Sequence, residues 1–198
     1  STPLYSSAAS DVYKRQSGFH ATVDLLIKNG IDPNNTNDAG QTVLMYAAKN
    51  GDIKTIEILL DHGADPNIVD KYKCSPLMYA AREGNADAVS LFIKRGVKVD
   101  YEDQFNWTAL TWATKKNHFQ VVKILIGSGA NVDRKDSDGT PIVHYAVVNK
   151  SKEMIQLFID SHVNLKAKDR YGLTVLVYAL KAKNTELVDL IKNAGGSY

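Results

Sequence analysis

The residues able to carry chemistry are few and scattered: five histidines, one cysteine and a recurring set of aspartates. His20, His62, His118, His144 and His162 fall in no metal-ligand spacing such as HExxH, and no second cysteine accompanies Cys74. An isolated histidine lacks the convergent groups that a catalytic or metal site needs, so a structural role is expected for each. Asp65, Asp70, Asp100, Asp133 and Asp136 recur near turns. There a carboxylate suits local bonds to backbone N–H groups better than paired acid–base work. Neither a glycine-rich phosphate loop nor a nucleophile elbow occurs. The expectation is a chain that is not an enzyme and takes no metal or cofactor.

Two ladders of side chains suit recognition instead. Tyr72, Phe105, Trp107 and Tyr171 stand in turn segments, among Lys71, Cys74, Gln104, Ser137, Asp138, Thr140, Arg170 and Leu173. Aromatic and arginine anchors dominate the energy of protein interfaces, so exposed rings in turns point to a bound partner. The other reading is that these rings pack on neighbouring turns and stiffen the chain. Lys49, Arg82, Lys115, Lys116 and Lys181 form the second ladder, interrupted by Val148. On an exposed face they would make a basic stripe favouring a protein partner with acidic and apolar residues. Equally, cations near helix C-termini answer the helix dipole and need no partner. A third column, Tyr46, Tyr79, Trp112, Tyr145 and Tyr178, recurs too regularly for recognition and is assigned to packing between units.

These ladders share one period. Segments beginning at Asn37, Asp70, Asp103, Asp136 and Asp169 repeat every 33 residues without insertion or deletion. One column reads Leu44, Leu77, Leu110, Val143, Leu176, and three residues on stand Ala47, Ala80, Ala113, Ala146 and Ala179. A further pair of columns holds Ile56, Val89, Val122, Ile155, Val188 and Leu59, Phe92, Leu125, Phe158, Ile191. Glycine follows at Gly30, Gly63, Gly96, Gly129 and Gly195, broken by His162. Such a unit cannot bury its apolar face alone, so a stacked solenoid is expected rather than a single closed core.

Gly40-Gln-Thr-Val-Leu-Met-Tyr-Ala-Ala48, Asn50-Gly51, Ile56 to Asp65, Gly129-Ala-Asn-Val132 and Gly139 to His144 resemble the ankyrin repeat. The resemblance covers residues 17–198. It implies an all-α solenoid of helix–turn–helix units with β-turn fingers: a truncated repeat over 17–36, full repeats over 37–69, 70–102, 103–135 and 136–168, and a C-terminal capping repeat over 169–198. In the last, Lys192 replaces the apolar column of Ile27, Leu60, Ile93, Ile126 and Ile159. The resemblance also implies a structural hydrogen bond from His144 and protein binding as the default activity. Where the family carries glycine between the helices, this chain has Asn117, Lys150 and Lys183, and His162 replaces glycine after an outer helix. A side chain at positive φ costs of order 1 kcal/mol, so the repeat over 136–168 is expected to be the softest complete one.

Residues 1–16 break the pattern. Ser6 to Gln16 resembles the translation of an adapter used in transposase-based sequencing libraries, so residues 1–16 are expected to be a non-native segment read into a gene fragment. The half-repeat behind it should expose apolar surface and fray or associate; the chain is otherwise expected to be a monomer. A formal net charge of +2 gives little support to nucleic-acid binding. No apolar run reaches the roughly twenty residues of a membrane span. The single cysteine favours a reducing compartment such as the cytoplasm, while the compartment and any secretion signal stay open without the native start. The function expected is a non-catalytic module that binds a partner protein through its concave inner-helix surface and fingers. The alternative is a regulatory or targeting domain severed from a larger enzyme or effector.

Overall fold

Three local signals recur along the chain: a hydroxyl at the start of every inner helix but Ile142–Val148, an αL residue that ends each one, and an aspartate, or Asn37 in the first full unit, that closes the turn before it. The computed structural model describes residues 20–198, which leaves the adapter-like segment 1–16 outside the described residues. Helix α1 covers 20–28. The remaining helices alternate between inner, α2 (Val43–Asn50), α4 (Pro76–Glu83), α6 (Ala109–Lys115), α8 (Ile142–Val148) and α10 (Val175–Lys181), and outer, α3 (Ile53–Asp61), α5 (Ala86–Lys94), α7 (Phe119–Gly127), α9 (Lys152–Asp160) and α11 (Thr185–Asn193). Inner helices pack on inner, outer on outer, and each inner helix on its own outer partner. The result is an all-α repeat solenoid. Among the described residues, extended pairing is confined to isolated bridges at finger bases: Thr36 with Thr42, Lys135 with Pro141, and Lys168 with Thr174.

Burial follows the columns read from sequence. Leu44, Leu77, Leu110, Val143 and Leu176 are buried, as are the five alanines three residues on, whose small side chains let successive inner helices approach closely. Phe92 and Phe158 are fully enclosed in the outer layer. Lys192 is exposed, whereas the five apolar residues of its column are partly covered. At the other end Leu25, Leu26 and Ile31 are exposed.

Helix starts are set by hydroxyls. Thr42, Ser75 and Thr108 each accept a hydrogen bond from the backbone N–H three residues on. The repeat over 136–168 differs: its Thr140-Pro141 lies one residue early, so Pro141 occupies the buried cap position and offers no acceptor. His144 is fully buried, and its Nε2 lies 3.2 Å from the Leu173 carbonyl of the next finger. That agrees with the expected structural bond, yet Nδ1 has no partner. In the preceding repeat, the residue at the matching place, Thr111, reaches the cap hydroxyl of Thr108 at 3.2 Å. Pro141→Thr should therefore supply an acceptor to helix α8 and a partner to Nδ1, raising stability by about 1 kcal/mol in urea titrations. Burial holds the His144 pKa below its ordinary 6.5, and the Leu173 carbonyl opposes this only in part. The unfolded chain then takes up a proton that the folded chain refuses, so stability should fall as pH drops through 6.5. His144→Met, which copies Met45 and Met78 of the same column, should flatten that decline.

Helix ends are set by αL residues. Gly51 and Gly84 adopt φ of 68° and 81°. Asn117, Lys150, Lys183 and His162 take the same conformation at 61°, 55°, 52° and 59°, as their columns required. Lys150→Gly and His162→Gly should each raise the unfolding midpoint, by about 1 kcal/mol in stability, since only the side chain is strained there. Lys73 and Asn106, at φ of 61° and 57°, share the strain at the finger tips, a departure not read from the sequence.

Candidate functional site

Each finger is a five-residue loop closed by its first side chain. Asp103 Oδ1 accepts from the backbone N–H of Phe105 at 2.8 Å and of Trp107 at 3.0 Å. Asp70, Asp136 and Asp169 bond in the same way two and four residues ahead, and Asn37 does so in its finger. The second carboxylate oxygen turns to the inner helix. It accepts from the Tyr79 hydroxyl at 2.7 Å, the Trp112 indole N–H at 2.9 Å, the Tyr145 hydroxyl at 2.5 Å and the Tyr178 hydroxyl at 2.7 Å, always nine residues on. The aromatic column does meet neighbouring units, as in Tyr79 with Gln41 and Tyr145 with Trp107, and from Tyr79 to Tyr178 it has a second duty: it locks each finger to the helix of its own repeat. The phenols are held protonated. Burial, then the Asp70 bond, pushes Tyr79 up to about 12, and the Asp169 bond, then burial, does the same for Tyr178. Asp100 and Asp133 behave differently from the local turn bonds expected of them. They accept from the backbone N–H groups of Asn131 and Asn164, 31 residues ahead, and so tie neighbouring repeats together.

Adjacent fingers are also joined. The backbone N–H groups of Lys71, Gln104 and Ser137 donate to the carbonyls of Ala39, Tyr72 and Phe105 at 2.9–3.0 Å. At the last junction the Arg170 guanidinium reaches the Asp138 carboxylate at 2.9 Å. This ladder presents Tyr72, Phe105 and Tyr171 to solvent, about half or more exposed. Trp107 differs from them. It is half-buried, folded back edge-on against Trp112 at 4.6 Å between centroids and beside Tyr145 at 5.8 Å. Cys74, placed on the finger surface by sequence position alone, is in fact buried beneath it. Burial, aided by Asp70 and Asp103, pushes its thiol up to about 12 and leaves it unreactive at neutral pH.

The cations of the inner helices meet these rings. The Arg82 guanidinium lies over Tyr79 at 4.8 Å and over Trp112 of the next repeat at 5.4 Å. Lys115 Nζ lies over Trp107 at 4.1 Å and over Tyr145 of the next repeat at 5.3 Å. Between the fingers and α4 and α6 runs a depression of about 270 Å³ lined by Tyr72, Arg82, Phe105 and Trp112. Lys49 borders a smaller one with Gln41, Tyr46 and Tyr79. Lys116, exposed at the end of α6, joins no ring among the described residues, and Tyr171 stands apart with Arg170 at 4.9 Å. The structure thus brings Tyr72, Phe105 and Arg82 to one depression, sets Trp107 and Lys115 beside it through the Trp107–Trp112 contact, and leaves Lys49, Lys116 and Tyr171 outside it. Sequence reading missed Tyr79, Trp112 and Tyr145 as platforms for the cations; the constant nine-residue offset from the finger aspartate was the available signal.

The histidines serve as struts. His118 Nε2 lies 3.0 Å from the Arg82 carbonyl, closing the end of α4, and its ring fills the space that a Cβ on Gly84 would need. His20 pairs with Thr55 at 2.7 Å, and His62 with the Ile58 carbonyl at 2.9 Å. Among the described residues, no group of three or more histidine, cysteine or acidic side chains could hold a metal ion, and no helix is long and apolar enough to cross a membrane.

The family model described as ankyrin repeats (3 copies) matches residues 8–103, 63–136 and 128–197. The chain belongs to the ankyrin repeat family. Ankyrin repeats generally serve as modules for protein–protein interaction and are typically not catalytic. Among curated proteins no match to the chain was found.

Proposed function

We propose that this chain is a non-catalytic module that holds a partner protein in the groove between its fingers and inner helices. The observation that carries this reading is the convergence of Tyr72 and Phe105, exposed on rigidly bonded fingers, with Arg82 over a floor of aromatic rings, and Lys115 stacked on the adjoining Trp107. Exposed rings beside a concave, partly apolar surface are the anchors that interfaces use, and fingers fixed by backbone bonds lose little freedom on binding. Tyr171 and the outlying cations Lys49 and Lys116 extend the same face at its edges.

The test is affinity capture on the immobilised chain beside a variant with Tyr72, Phe105, Trp107 and Tyr171 all changed to Ala, both checked for folding by circular dichroism. A partner retained by the parent should bind the variant roughly 100-fold more weakly, as loss of several anchors implies. Equal retention would reject the fingers as the site.

A further inference from the structure

The groove is not uniform along its length. At α4 and α6 a cation from one repeat lies over a ring of the next, Arg82 on Trp112 and Lys115 on Tyr145. Edge contact of Trp107 with Trp112 joins the two pairs, so rings and cations alternate from Tyr79 to Tyr145. One repeat further the corresponding residue is Val148, 62% exposed, and at α10 the cation returns as Lys181. The cationic column is therefore broken by one apolar step at α8.

Both cations are held by rings, and neither has its full set of donors paired with a carboxylate. Arg82 spends only its Nε on Glu83, at 3.1 Å, while Lys115 meets no carboxylate among the described residues. The carboxylates that share the groove, Asp70, Asp103 and Asp136, are buried and committed to finger amides and ring donors. An arginine stacked between two rings keeps its planar fork in place for a carboxylate, with less freedom left to lose.

Resting on the protein-binding reading above, we infer that the partner presents a segment with two carboxylates, seated at Arg82 and Lys115, and an apolar side chain beside them that reaches Val148. Charge complementarity selects this occupant. A basic segment would meet Lys115 with no carboxylate beside it and Arg82 with only Glu83 at its Nε, and a wholly apolar one would strip water from both without adding a partner.

A random peptide library selected against the full chain tests this. Selected peptides should be rich in Asp and Glu next to apolar residues. They should bind at least tenfold more weakly to Arg82→Gln/Lys115→Gln, and weaken as salt is raised. Replacing their acidic residues with Lys should restore binding to Arg82→Glu/Lys115→Glu, with circular dichroism and thermal melts confirming that each variant folds. Peptides that need Tyr72 and Phe105 but ignore the Gln variants would overturn the acidic assignment and leave the groove standing. Peptides indifferent to both sets, or no enrichment at all, would overturn both.

Discussion

Replacing Asp103 with Ala should lower the unfolding free energy by about 3 kcal/mol or more, one of the largest losses expected from a polar change in this chain. Three N–H donors would lose their acceptor together, the backbone groups of Phe105 and Trp107 and the indole of Trp112, and so would the Cys74 thiol at 4.0 Å. Each buried donor left unpaired costs about 1–3 kcal/mol. Asp103→Asn should fall between parent and Ala, because its carboxamide oxygen still serves the finger but its NH2 group faces the Trp112 donor. The repeat over 37–69 shows how that conflict resolves. There Asn37 Nδ2 donates to the Tyr46 hydroxyl at 3.2 Å, since a phenol accepts where an indole N–H does not. Asp103→Asn combined with Trp112→Tyr should therefore recover much of the loss. A double-mutant cycle in urea reads this directly, and additive effects would mean that the aspartate and the ring do not act as a pair.

Phe158→Ala should cost about 3–5 kcal/mol, the usual range for emptying a fully buried aromatic site. Its placement makes the consequence larger than a uniform shift. The same repeat lacks a hydroxyl cap on α8, leaves His144 Nδ1 unpaired, and holds Lys150 and His162 at positive φ. In a stacked array each repeat contacts only its neighbours, so stability is close to a sum of repeat and interface contributions. Deepening the weakest repeat should uncouple the segment beyond it and split unfolding into two steps. Both tryptophans, Trp107 and Trp112, lie in the repeat over 103–135. Tryptophan fluorescence should therefore report a later midpoint than circular dichroism in Phe158→Ala, while the two coincide in the parent. Coincident curves in the variant would show that the interfaces on either side of the repeat over 136–168 are stronger than its internal packing.

Much of the molecule was legible because a solenoid repeats its instructions. The columns of Leu44 and Ala47 announce the inner-helix core five times over, so a chance apolar residue cannot imitate them. The αL positions were legible for the same reason: Lys150 and His162 sit where glycine recurs, and the backbone at those places has little choice. Lys73 and Asn106 escaped notice because Gly40, Gly139 and Gly172 alternate with other residues in that column, and glycine is then only one of several signals there. Thr140-Pro141 was read as part of the usual helix start, although it stands one residue early; only the orphaned Nδ1 of His144 exposes the slip.

The 33-residue period by itself determined the class of fold, the layers and the buried columns, since stacking is the only way such units can cover their apolar faces. It also left some columns, such as that of Cys74, Trp107, Thr140 and Leu173, free of any single residue type. The tertiary structure decided what those free residues do. Cys74 and Phe105 both lie on finger segments, yet one is buried and the other stands in solvent. Trp107 turns inward to Trp112, and Arg82 and Lys115 find rings in the following repeat. These outcomes depend on the contact between one unit and the next. A periodic sequence specifies that such contacts exist; the side chains of both neighbours together set which ring meets which charge.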